Sequence, residues 1–159
     1  GDLELLGGKT VMVCGARDAS PEGLDLAYRC GRLLADSGVT VASGYARGVD
    51  MAAHRGAFEA GGNTVAILPY GLARFRVHRD LEESFDPGRF LAISELGPWG
   101  VFTAHAALRR NKLLAALSDA VIVVEPGETG GTWYSAEKAS EMGKPLFFLN
   151  IFSLPDGWS

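Results

Sequence analysis

A chain of 159 residues is sized for one compact domain, 1–159, at roughly 150 residues per domain. With 47% hydrophobic and 21% charged residues it has the material for a buried core, which argues against intrinsic disorder. A net charge of -4 and a pI near 5.3 argue against nucleic-acid binding over the whole surface and leave room only for a local basic cleft.

Residues 9–15 (KTVMVCG) read as a short apolar strand ending in glycine. Pro21 then precedes a helical pattern carrying Leu24, Ala27, Leu33 and Leu34, stopped at Gly38. Next come a strand at 40–43, a loop at 44–48, a helix at 49–60 stopped by Gly61-Gly62, and a third strand at 64–68. From 69 to 84 the pattern is irregular and rich in arginine and aromatic residues, which predicts a long functional loop or lid. A strand at 90–95 and a helix at 110–117 follow. Residues 120–125 (AVIVVE) form a continuous apolar strand of the central type. A helix at 132–142, stopped by Gly143, and a strand at 145–149 complete the series. Strands alternating with helices predict right-handed crossovers, hence an α/β fold: a doubly wound, mostly parallel sheet of about six strands with helices on both faces.

The two cysteines, Cys14 and Cys30, are too few and too poorly spaced for zinc and read as buried reduced thiols, which fits a cytoplasmic home. No metal site and no cofactor is expected. No apolar run approaches the roughly 20 residues needed to span a bilayer, and no charged-then-apolar signal pattern opens the chain.

Glycine is the compositional outlier, at 21 of 159 residues, about twice the usual share of roughly 7%. In a parallel sheet, ligands bind beyond the carboxyl ends of the strands, where loops lead into helix N-termini with free N–H groups. Three glycine loops fall there: Gly15-Ala16-Arg17, Ser43-Gly44-Tyr45-Ala46-Arg47-Gly48, and the loop from Gly127 through Gly130-Gly131-Thr132. Together they predict a shared anion pocket. Neither a Walker A loop nor a G-x-G-x-x-G fingerprint occurs, so ATPase and dinucleotide readings lose their support.

Arg47 is placed where a guanidinium reaches a phosphate held by the Gly44 and Gly48 amides, or else pairs with Asp50. Arg110 and Lys112, read as opening a helix, oppose the dipole there unless an anion lies between them. Asn111 is placed either to hydrogen-bond a base or to cap that helix. Arg74, Arg76 and Arg79 flank Phe75, a pattern that suits a single strand if the ring stacks on a base, and an ordinary loop if the ring enters the core. Tyr45 and Tyr70 are alternative stacking platforms. Asp50 reads as stabilising the helix end and the Arg47 loop, and His54, one turn on, as a buried histidine held by that carboxylate.

The run from Ser43 to Asp50 (SGYARGVD), with Ala52-Ala53-His54-Arg55-Gly56-Ala57 and Gly61 to Leu68, closely resembles the DNA-processing protein A (DprA/Smf) family. The likeness extends through Ile93-Ser94-Glu95, Arg110 to Asp119 (RNKLLAALSD), Val121 to Glu125, Gly130-Gly131-Thr132 and Glu141 to Lys144, about 9–150 in all. The resemblance implies a Rossmann-like domain that binds single-stranded DNA, helps load a RecA-type recombinase in natural transformation, and commonly forms a homodimer. Phosphate binding would fall on Gly15, Arg17, Ser43, Gly44, Arg47, Gly48, Arg110, Asn111, Lys112, Gly130, Gly131 and Thr132, with base stacking at Tyr45, Tyr70 or Phe75. The flanking modules usual in the family do not fit within this length, and its Pro-rich approach to the Arg-Asn motif is replaced by Trp99 to His105 (WGVFTAH).

A related group of nucleoside-phosphate hydrolases uses P-G-G-x-G-T-x-x-E. Here Ser135 stands three residues after Thr132, and Glu137 comes two further on, about 200° around a helix and away from a ligand at its end. The sequence reading is therefore a binding protein rather than an enzyme. A small-nucleotide sensor or carrier is the alternative, and a nucleoside-monophosphate hydrolase comes third.

Overall fold

Among the described residues six strands, β1 (Thr10–Gly15), β2 (Thr40–Ser43), β3 (Thr64–Leu68), β4 (Phe90–Ser94), β5 (Ala120–Val124) and β6 (Leu146–Leu149), form one sheet in the order β4-β3-β2-β1-β5-β6. Every pairing is parallel. The structure is a computed structural model and describes residues 1–127 and 130–149. Burial at every position of β2 and β3 is what a sheet covered on both faces requires, and it explains their unbroken apolar runs.

One face is covered by α1 (Pro21–Asp36) and α2 (Val49–Glu59), which bury Ala27, Ala53 and Ala57 against Val13, Val41 and Val124. The other is covered by α3 (Ala104–Leu117) and α4 (Gly131–Glu141), which bury Leu114, Ala115, Ala136 and Ala139 against Met12, Val65, Ile67 and Val123. The α/β fold with helices on both faces is the one the alternating pattern predicts. Both thiols are free and buried, and burial raises their pKa, Cys30 to about 11.

Local chemistry sets the helix ends. Ser20 accepts the Gly23 N–H at the start of α1, with Pro21 as its first residue. Helix α3 begins at Ala104, six residues before the predicted 110, because the Thr103 hydroxyl accepts the Ala106 N–H and caps it there. Helices α1 and α2 approach backbone to backbone. A Cβ on Gly56 would lie 2.0 Å from the Tyr28 carbonyl, and one on Gly31 would lie 2.2 Å from the Ala53 carbonyl. Gly56→Ala is therefore expected to cost about 2 kcal/mol or more by overpacking. In thermal melting this should appear as a fall of roughly 5 °C; an unchanged melting temperature would contradict the close approach.

The 69–84 segment, predicted as a loop or lid, is instead packed down. It holds two short 3-10 turns, Leu72–Arg74 and Arg79–Leu81, and Leu81 is fully buried with Phe58, Phe90, Met51 and Leu68. Apolar side chains dispersed among the arginines anchor it.

After β4, at one sheet edge, the chain crosses to β5 beside β1. The helices that follow β1 and β5, α1 and α4, lie on opposite faces, so the loops leaving those strands part and open a crevice at their carboxyl ends.

Candidate anion and nucleic-acid site

A cavity of about 520 Å³ occupies that crevice. Its wall takes Gly15 to Asp18 from the loop after β1, Gly44 and Ala46 from the loop after β2, Arg110 and Asn111 from α3, and Gly127, Gly131 and Thr132 around the start of α4. The structure thus brings the three glycine loops to one rim. Glu128 and Thr129 of the third loop lie outside the described residues.

The start of α4 is the open donor end. Its N-cap is Gly130, at φ 114°, and no side chain among the described residues caps it, which leaves first-turn N–H groups and the positive dipole end open to a ligand. Three side chains bond that turn: Ser135 donates its hydroxyl to the Gly131 carbonyl at 2.9 Å, and Thr132 and Asn111 tie it to neighbouring elements. Thr132 donates its hydroxyl to the Gly15 carbonyl at 3.1 Å, and Asn111 donates its amide to the Gly131 carbonyl at 3.1 Å. Asn111 therefore clasps α4 and does not cap its own helix.

Arg110 sits in the second turn of α3, not at its start, and is 5% exposed. At that place it does not face the helix N-terminus, so the helix dipole gives no reason for an anion beside it. Its Nη1 donates to the Ile67 carbonyl at 3.2 Å, while its Nε has no partner among the described residues. Gly44 makes room for it: a Cβ there would lie 1.5 Å from Nη1 and 2.7 Å from the Asp50 carboxylate. Burial lowers the proton affinity of Arg110, Asp50 opposes that, and Arg17 lowers it further. Two guanidiniums that feel each other across one cavity fit an anion between them.

Asp50 holds the second loop. Its Oδ2 accepts the Gly44 N–H at 3.1 Å and the Ala46 N–H at 3.3 Å, so these amides are already occupied and do not cradle a phosphate. Burial raises the Asp50 pKa, against the pull of Arg110 and these hydrogen bonds. Ser43 is fully buried and donates to the Val13 carbonyl at 2.6 Å, which ties β2 to β1 instead of facing a ligand. Gly48 packs against the first loop. Arg47 leans outward and pairs with Asp18, not Asp50, at 2.9 Å, both side chains being exposed. Arg47 and Gly48 line a neighbouring shallow hollow, and Arg17 lines both this hollow and the cavity. Lys112 is exposed on α3 outside the cavity wall, as Glu137 is on α4. Asp18 was missed by sequence reasoning, although its place beside Arg17 in the first loop was a visible signal.

The aromatic candidates gather nearby. Tyr45 has a positive φ of 59°. Its ring packs on His54, Phe75 and Phe90, and its hydroxyl accepts the His78 N–H at 2.9 Å, which offsets the backbone strain. Phe75 stacks on Phe90 with centroids 5.3 Å apart, so its ring serves the core cluster. Tyr45 and Tyr70 line a second groove with Arg74, Arg76 and Arg79. His54 is fully buried, but Asp50 does not hold it: neither ring nitrogen has a hydrogen-bond partner among the described residues. Burial first, and Arg110 second, hold its pKa down at about 3, so the ring is neutral.

This is a Rossmann-like α/β domain with a guanidinium- and amide-lined cavity at its switch point. A model of the family described as DNA recombination-mediator protein A matches residues 1–155, and the chain belongs to that family, DprA/Smf. It is 32% identical to DNA processing protein DprA of Streptococcus pneumoniae over 94% of this chain and 53% of that one. It is 35% identical to Protein Smf of Escherichia coli over 94% of this chain and 40% of that one. The chain thus spans about half, or less, of the length of these relatives. The structure of DNA processing protein A from Helicobacter pylori, described for its single-stranded DNA binding mode, superposes with a TM-score of 0.83 at 30% identity, covering 99% of this chain and 71% of that one. No described helix is long and apolar enough to cross a membrane, and no group of three potential metal ligands occurs among the described residues.

Proposed function

We propose that this domain binds single-stranded DNA without chemistry, as a recombination or DNA-uptake accessory, by holding backbone phosphate in the cavity between Arg17, Arg110 and the first turn of α4. The observation that carries the reading is the convergence on one cavity of two guanidiniums and a helix N-terminus that no described side chain caps. Family membership and the Helicobacter pylori protein support it. Recombinase loading and homodimerisation follow from the family alone.

The test is titration with fluorescent oligothymidylate across a salt series. Arg17→Ala is expected to weaken binding about tenfold and to flatten the salt slope by about one. Absence of oligomer binding at low salt would refute the reading. Arg17 is the clean probe. Removing Arg110 leaves Asp50 buried without its compensating charge, a loss of about 3–5 kcal/mol in stability that would mask binding.

Asp18 lines the same cavity, and its carboxylate occupies Arg47. An exposed ion pair is worth about 1 kcal/mol at most, so phosphate can displace it. Asp18→Asn is expected to tighten oligomer binding about threefold to tenfold in the same titration. Unchanged or weaker binding would instead make Asp18 a positioning residue for Arg47.

A small nucleotide is the second reading, favoured by one feature: the cavity is a bounded hollow in the size range of small-molecule sites. A thermal shift with a mononucleotide, without oligomer binding, would select it.

A further inference from the structure

We propose that the Trp99–Phe102 turn is a base-stacking platform that continues the single-strand path out of the cavity; this rests on the single-strand reading above. The turn precedes α3 and displays Trp99 at 71% and Phe102 at 51% exposure. Such rings are normally buried, and an exposed aromatic patch marks an interaction surface. The backbone that carries them is pinned. Gly71 N–H donates to the Gly100 carbonyl at 2.9 Å, Ala73 N–H to the Pro98 carbonyl at 2.9 Å, and Arg74 Nε to the Trp99 carbonyl at 2.9 Å. The backbone that carries the rings is therefore held in place, so binding orders only side chains, which lowers its cost.

The surface next to them selects the occupant by charge. The second groove, about 450 Å³, is lined by Arg74, Arg76 and Arg79 with Tyr45 and Tyr70. Arg74 and Arg76 bond to backbone carbonyls, and the carboxylate near Arg79 is Asp80, 3.7 Å from a side chain that is itself 89% exposed. The groove keeps a net positive charge in an acidic protein. Guanidiniums beside open ring faces match a chain that alternates phosphates with bases, since every base offers a face to stack.

The groove also begins where the cavity ends. Tyr45 follows Gly44 of the cavity wall, and Tyr70 lies close enough to Arg110 to feel its charge. One strand can thus place a phosphate in the cavity, pass Tyr70 and the arginines, and lay bases on Trp99 and Phe102.

The experiment uses the full chain and two fluorescent oligomers of about 20 units, one of thymidylate and one with an abasic backbone. Trp99→Ala with Phe102→Ala is expected to weaken thymidylate binding about tenfold or more and to leave abasic binding and the salt slope unchanged. Trp99→Phe should retain binding. Quenching of tryptophan fluorescence is expected when wild type binds unlabelled thymidylate, and it should diminish in Trp99→Phe.

Wild-type affinity in the double variant, with Arg17→Ala still weakening binding, overturns the platform and leaves the parent reading standing. Equal losses on both oligomers, or a change of self-association in the double variant, also overturn it, by making the patch a structural or protein-contact surface. If no oligomer binds even at low salt, both fall.

Discussion

Alanine at Gly48 is expected to destabilise the protein by about 3 kcal/mol or more and to dislocate the loop after β1. Gly48 has φ 82° and ψ -130°, a conformation that side chains other than hydrogen adopt only under strain of roughly 1–3 kcal/mol. A Cβ would also stand 2.4 Å from the Ala16 carbonyl oxygen and 2.5 Å from that of Arg17. Both obstacles are backbone, so no rotamer change relieves them, and the overlap adds a further 1–3 kcal/mol or so. The loop that must yield accepts the Val49 N–H at Ala16 and carries Arg17 into the cavity. Urea denaturation should show a lower midpoint at unchanged slope, with oligomer binding weakened in the fraction still folded. A wild-type midpoint would mean that the close approach is not real.

His54 should make the fold acid-labile well above the carboxylate range. Its pKa is about 3 in the folded protein against 6.5 unperturbed, so the unfolded chain binds the proton first. The sign follows from linkage. A depressed folded pKa gives stability that is complete above pH 6.5 and is lost as pH falls, at up to about 1.4 kcal/mol per pH unit. Asp50, whose pKa is raised, acts in the opposite sense and favours folding as it takes up a proton at lower pH. Between pH 6.5 and 5 the His54 contribution should fall by some 2 kcal/mol, and Asp50 offsets part of that loss wherever it takes up its proton. His54→Met, similar in volume and free of these ring nitrogens, should be close to neutral at pH 7 and should remove the destabilisation by acid that His54 contributes. Urea midpoints at pH 7, 6 and 5 decide it; parallel profiles for the two proteins would refute the assignment.

The sheet was legible because its strands are short apolar runs between helices, and crossover handedness leaves few ways to arrange them. β2 and β3 fall at the predicted residues. Helix α3 was read short because Ala104-His105-Ala106-Ala107 has no strong apolar stripe and its cap, Thr103, is a single residue behind an aromatic turn. The meeting of the three glycine loops was also legible, since parallel strands send their following loops to one edge. What the sequence does not carry is how donors are already spent. Asp50 takes the Gly44 and Ala46 amides, Ser43 turns into the sheet and Arg47 pairs across to Asp18. Each of these partnerships depends on side-chain direction in a packed loop, which periodicity cannot encode. The same holds for His54, whose i+4 spacing from Asp50 suggested a bond that the folded side chains do not make.

The neighbours β1 and β5 pair Val11 with Ala120, more than a hundred residues apart, and the cavity wall is split between the loops after β1 and β2 and the residues beyond 109. Such non-local closure makes folding slow and all-or-none. A bound strand that bridges the two halves must then stabilise the molecule globally: amide exchange should slow deep within β1 and β5 as well as at the rim, because breathing at the centre of the sheet and release of the strand become one event.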